Sequence, residues 1–163
     1  MQRYFRFEKG LTTALAGLSA LLLATIVLLF AMEILMRYAI GSPTKWSNDV
    51  VGFVMTAMIF LGIPEVTRRG QNIAITFLID RVNGKMAKIW ASILALISSA
   101  VCFSLFWIVT STMIKSYSNG LQTNTVIQIP KWLLVLPMSI SFLVVSIIFL
   151  VTALEGKRTN GLG

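Results

Sequence analysis

Glu33 and Arg37 stand four residues apart, as do Lys45 and Asp49, and Glu65 is followed by the cluster Arg68-Arg69-Gly70. These charges lie near the ends of long apolar runs, where an ionisable group within the membrane is by default a functional candidate. All of them sit at the ends of the runs, where charge is cheap, and no run carries a charge at its centre. A coupling-ion or proton site within this chain is therefore not expected, and Glu33 is read as half of a pair stabilising a helix end. The rest of the inventory excludes more chemistry. There is no histidine, which removes paired-histidine haem ligation, histidine metal sites and a His-based catalytic dyad. The one cysteine, Cys102, allows neither a thiolate cluster nor an intrachain disulfide and is expected as a small apolar core residue. No glycine-rich phosphate loop with its lysine is present. No catalytic, cofactor-binding or metal-binding residue is expected, and no cofactor.

The elements that position these charges follow from composition. Only 12% of the 163 residues are charged, about half the usual soluble share, and mean hydropathy is +0.83. Runs free of Asp, Glu, Lys and Arg cover Gly10–Met32, Val50–Pro64, Ile89–Ile114 and Trp132–Leu154. Crossing the hydrocarbon core takes roughly 17–25 helical residues, so three runs qualify outright. The second qualifies when extended back to Trp46, with Asp49 in the first helical turn and the indole in the headgroup belt. The expected fold is an all-α integral membrane protein, one domain of four transmembrane helices over about 10–34, 46–65, 88–114 and 131–154. Arg3, Arg6 and Lys9 resemble the basic start of a signal peptide. The apolar stretch that follows is too long for one and lacks a small-residue cleavage site, so an uncleaved anchor is expected.

Lysine and arginine counts orient the chain. With four spans and both termini in the cytoplasm, ten basic residues lie inside and four outside. Dropping the second span leaves at best nine against five, so the positive-inside rule favours four. Arg68 and Arg69 then hold the second helix with its C-terminus inside, and Arg37, Trp46, Asp49, Arg81, Lys85 and Trp132 serve as topology and interface anchors. The net charge of +8 reads as attraction to anionic lipid, with no nucleic-acid partner.

Between the second and third spans, helical spacing puts Ile75, Leu78, Ile79 and Val82 on one stripe, with Thr76, Asp80, Arg81 and Lys85 opposite. Asn83-Gly84 breaks the pattern. A short interfacial helix over about 71–83 is expected, with a continuous helix through Gly84 as the alternative. Asn119-Gly120 marks a turn before the fourth span, which opens at Pro130 and Trp132. Ala16, Ala20 and Ala24 form a small-residue ladder on the first helix, and Ala91, Ala95 and Ser99 another on the third. Such ladders let helices approach closely, either within the chain or against another subunit, and the lack of a substrate site favours docking.

Arg37-Tyr38, Pro43, Trp46-Ser47 with Asp49, Phe60-Leu61-Gly62, Arg68-Arg69-Gly70, Ile73, Asp80-Arg81, Ile129-Pro130-Lys131-Trp132 and Pro137 come in an order that resembles one family. It is the small, DctQ-like membrane subunit of tripartite ATP-independent periplasmic (TRAP) transporters. Asn72 and Thr76 stand where that family often has histidine and aspartate. The resemblance, over about residues 33–145, implies a subunit of a sodium-driven carrier in the bacterial inner membrane. Its partners would be a large multi-span subunit holding the substrate and sodium sites, a soluble periplasmic substrate-binding protein and membrane lipids. The substrates it implies are carboxylates such as sialic acid or C4-dicarboxylates, and the small subunit would brace the large one. The rivals are a stand-alone four-helix multidrug exporter, which needs a carboxylate within a span, a non-transport membrane scaffold, and a membrane-embedded enzyme, which the lack of histidine disfavours.

The interfacial stripe yields a test. Burying each such side chain is worth about 1.5–3 kcal/mol, against about 1 kcal/mol for one basic residue near anionic lipid. Leu78→Asp/Ile79→Asp should loosen attachment of the transporter complex in detergent, whereas Arg81→Gln should be mild. Spin labels at 75, 78, 79 and 82 as water-accessible as those at 76 and 80 would make the segment an ordinary loop.

Overall fold

A computed structural model describes residues 2–41, 44, 46–69 and 85–160. The expected interfacial segment, with Ile75, Leu78, Ile79, Arg81 and Val82, lies outside the described residues, as do Pro43, Lys45 and Asn72. Among the described residues there is no strand, and four helices dominate: α1 (Gln2–Leu35), α2 (Ser47–Arg68), α3 (Lys85–Ser118) and α4 (Lys131–Asn160). All four are long and apolar enough to cross a membrane. The borderline second run is settled by length, since the 22 residues of α2 rise about 33 Å against a core of about 30 Å. A helix is the natural form here, because it satisfies every interior N–H and C=O without water. Pro64 is the local exception in α2: it has no N–H to offer the Phe60 carbonyl, and its ring is buried.

The first helix runs further than its apolar stretch suggests. Its end widens into a π turn over Met36–Ile40, closed by Gly41 at φ +69°, whose N–H reaches the Met36 carbonyl. That left-handed cap is a conformation glycine adopts without strain. At the other hairpin, Gly120 at φ +59° ends α3, and Leu121 N–H returns to the Ser116 carbonyl at 3.1 Å.

Packing is open, in the order α1, α2, α4, α3. Among the described residues α1 packs only on α2 and α3 only on α4, while α2 and α4 join the two hairpins. The inner pair accordingly carries most of the buried positions. Three pairs along the second hairpin fix its antiparallel register. Thr110 meets Ser139 at 2.8 Å, the Ser99 hydroxyl donates to the Ser146 carbonyl at 3.0 Å, and the Tyr117 and Trp132 rings meet edge-on at 5.9 Å. In the first hairpin, Ser19 of α1 donates to the Met58 carbonyl of α2 at 2.8 Å. The joint between hairpins includes Phe60 edge-on to Phe142, with ring centres 5.7 Å apart. An Asp49 carboxylate oxygen also accepts the Val126 N–H of the loop before α4 at 2.9 Å.

Gly62 is where the first hairpin closes. A Cβ there would stand 3.2 Å from Ser19 Oγ but 3.9 Å from Ser19 Cβ, so the hydroxyl alone makes the position tight. Gly62→Ala should therefore destabilise the chain, and Ser19→Ala should cost about 0.6 kcal/mol, the usual worth of such a bond in a bilayer. The double substitution should be no worse than Ser19→Ala alone. Thermal unfolding in detergent checks this, and fully additive losses would overturn the close-approach account.

Candidate functional site

The charges cluster at the two ends of the α1–α2 hairpin. At one end Glu65, 5% exposed, is ringed by donors. Arg68 donates through Nε at 2.9 Å and Nη2 at 2.6 Å, and Arg69 through Nε at 2.8 Å. Helical geometry makes this possible, because residues three and four apart lie on one face. The fully buried Thr12 of α1 adds a side-chain hydrogen bond to the same carboxylate, so the cluster crosses the helix pair. The two arginines differ in setting: the Arg68 side chain is 24% exposed and that of Arg69 60%.

At the opposite end Glu33 is buried beside the exposed Arg37, whose Nη2 approaches at 3.4 Å. Thr44 donates its hydroxyl to the other carboxylate oxygen. The acid is thus held by both its own helix and the connection to α2. This is a fastening of a helix end, with two donors already committed to the carboxylate. Asp49 likewise ties the start of α2 to the loop after α3. Among the described residues, no three of His, Cys, Asp and Glu come together as a metal site would require. Glu33, Glu65 and Asp49 thus each fasten a helix end or tie a loop.

The other residues singled out in the sequence fall as follows. Trp46 precedes α2 half-buried, Trp132 meets Tyr117 edge-on, and Lys85 opens α3. Ala95 and Ser99 are buried on the face of α3 toward α4, with Ala91 half-buried at its start. On α1, by contrast, Ala16 is half-buried and Ala20 and Ala24 are exposed. The contact with α2 is made one position earlier on the helix surface, through Ser19. Three fastenings escaped the sequence reading. The Glu65 link to Arg68 and Arg69 was available from spacing alone. Thr12 to Glu65, and Asp49 to Val126, pair residues too far apart in the chain for any local pattern to reveal.

Over residues 3–159 the sequence matches the family described as tripartite ATP-independent periplasmic transporters, DctQ component. No curated protein and no solved structure matches the chain.

The Glu65 cluster sets an order of mutational costs. Glu65→Gln removes a buried charged acceptor from four hydrogen bonds, three from arginine and one from Thr12, and should cost about 1–3 kcal/mol. Arg69→Gln, at a largely exposed side chain, should cost no more than about 1 kcal/mol. Arg68→Gln should fall between them. Melting of the purified variants checks the ranking, and equal losses for Glu65→Gln and Arg69→Gln would count against the cluster as the fastening of this end.

Proposed function

Because the chain belongs to the DctQ-component family of tripartite ATP-independent periplasmic transporters, it is the small membrane subunit of a transport system and not an enzyme, and we propose that it braces the large membrane subunit. Family membership implies a complex with that large subunit and with a periplasmic binding protein. We take the transport to be sodium-driven uptake of carboxylates, such as sialic acid or C4-dicarboxylates, across the bacterial inner membrane.

One observation carries the bracing role: the four helices form an open row, with charges fastened at helix ends and large apolar side chains exposed along both edge helices. Leu21, Leu28 and Leu35 of α1 are 63–70% exposed, and Phe103, Trp107 and Ile108 of α3 are 57–67% exposed. A row of this kind offers extended surface to another membrane protein, where small residues and shape, more than hydrophobicity, drive helix association. Among the described residues it offers no broken mid-membrane helix of the kind that forms substrate sites. Glu33 argues against the exporter alternative, since its carboxylate is engaged by Arg37 and Thr44 at a helix end.

We infer that both termini lie in the cytoplasm. The ten-to-four distribution of basic residues supports this, and so does the meeting of Thr12 with Glu65, which puts the start of α1 beside the end of α2. The segment over about 71–83 would then lie on the cytoplasmic surface with its stripe of Ile75, Leu78, Ile79 and Val82 against lipid or the large subunit.

Reconstitution tests the reading. Vesicles holding this chain and the large subunit, supplied with the binding protein and a sodium gradient, should take up labelled carboxylate. The chain alone should give none, and the large subunit alone far less than the pair. Uptake by the chain alone, or full uptake without it, would overturn the bracing role.

A further inference from the structure

We propose that the groove between α1 and α2 holds an acyl chain of an anionic phospholipid, whose phosphate sits between Lys9 and Arg69. The groove measures about 550 Å³, within the roughly 300–1,000 Å³ of ordinary ligand sites. The small side chains of Ala16 and Ala20 hollow out its α1 wall, which Leu23 continues, and Ile59, Ile63 and Val66 form the α2 wall. Its lining is thus largely hydrocarbon.

The end of the groove is not apolar. Lys9 lies seven residues before Ala16, hence on the same face of α1, and is exposed. Arg69 lies three residues after Val66, on the neighbouring stripe of α2. Its Nε is held by Glu65 at 2.8 Å while its side chain stays 60% exposed, so the guanidinium is positioned and still open to a ligand. Glu65 does not cancel this charge. At the start of α1, Arg3, Arg6 and Lys9 outnumber Glu8 by two, and at the end of α2 Arg68 and Arg69 outnumber Glu65 by one. An apolar partner helix seated here would cover basic side chains without compensating them. A lipid phosphate compensates them and takes charge-assisted hydrogen bonds from arginine, while its chain fills the cleft. Basic pockets between membrane helices at the headgroup level bind anionic lipids on the same principle. The inference rests on the membrane placement of the chain and not on its bracing role.

Native mass spectrometry of the full chain in complex with its large subunit tests it. The complex is offered phosphatidylglycerol and phosphatidylcholine with identical acyl chains. Preferential retention of phosphatidylglycerol is expected. Lys9→Gln/Arg69→Gln should weaken that retention about 25-fold, at about fivefold per basic residue, and leave phosphatidylcholine unchanged. Ala16→Leu/Ala20→Leu, which fills the groove and keeps the charges, should also weaken it. Lys9→Arg/Arg69→Lys should restore it and controls for folding. Equal retention of the two lipids overturns the proposal. So does loss with the charge variant but none with the filled groove, which would mean surface attraction only. Release of the large subunit by Ala16→Leu/Ala20→Leu with lipid retention intact also overturns it, because the groove would then seat a partner helix. The same spectra report whether the large subunit stays bound to the unaltered chain, so failure of the bracing role is seen separately.

Discussion

In a solvent as apolar as leucine, helices gain little by burying leucine against one another, so contact depends on close approach and a few hydrogen bonds. Two serine hydroxyls supply both here. Ser19 reaches the Met58 carbonyl at 2.8 Å where Gly62 leaves room, and Ser99 reaches the Ser146 carbonyl at 3.0 Å. Each turns two long helices into a hairpin. The small side chain is what permits the approach, and the hydroxyl is what rewards it. Between the hairpins the described contacts change character: aromatic rings meet at Phe60 and Phe142, and Asp49 holds the loop backbone at Val126. The row of helices is therefore two hydroxyl-fastened pairs joined along α2 and α4.

The same solvent explains where the charges are. A charge at the bilayer centre is expensive, and Glu33, Asp49 and Glu65 each stand at a helix end with a donor in reach. Glu65 gathers Arg68 and Arg69 from its own helix and Thr12 from α1, and Glu33 gathers Arg37 and Thr44. An acid amid basic residues at the headgroup level does two things. It satisfies its own lone pairs, and it fixes the arginines in place without using up their positive charge, since two guanidiniums share one carboxylate. A bare arginine pair would orient the helix equally well but would be free to sample many positions.

Much of this was legible in the sequence. The four apolar spans and the family resemblance rest on long apolar runs and on motifs whose order survives in linear form. The Asn119-Gly120 turn and the Glu33–Arg37 pair are also local, and local patterns read directly. What was not legible is pairing at a distance. The row order α1, α2, α4, α3 cannot be deduced from periodicity, because in a membrane the lipid-facing and helix-facing sides are equally apolar and no polar stripe marks the exterior. The alanine ladder of α1 shows the limit clearly. Ala16, Ala20 and Ala24 have the spacing of a packing face, yet α2 is met through Ser19, and the ladder borders the adjoining groove. A small-residue ladder says that something comes close without saying what.

The open row also bears on how such a chain can serve a larger machine. A closed four-helix bundle would bury its own seams and present only a narrow convex side to a neighbour. Among the described residues α1 and α3 each pack on a single other helix, and many of their Leu, Phe and Trp side chains are exposed. Spreading the helices in a row widens the footprint without lengthening the sequence. It also leaves one hydroxyl fastening in the seam of each hairpin, Ser99 with Ser146 and Ser19 with Met58. Stiffness in such an element comes from fixing helix ends and hairpin seams, which is where the described polar contacts lie. A body that must hold still while another subunit moves needs that distribution of contacts more than it needs a core.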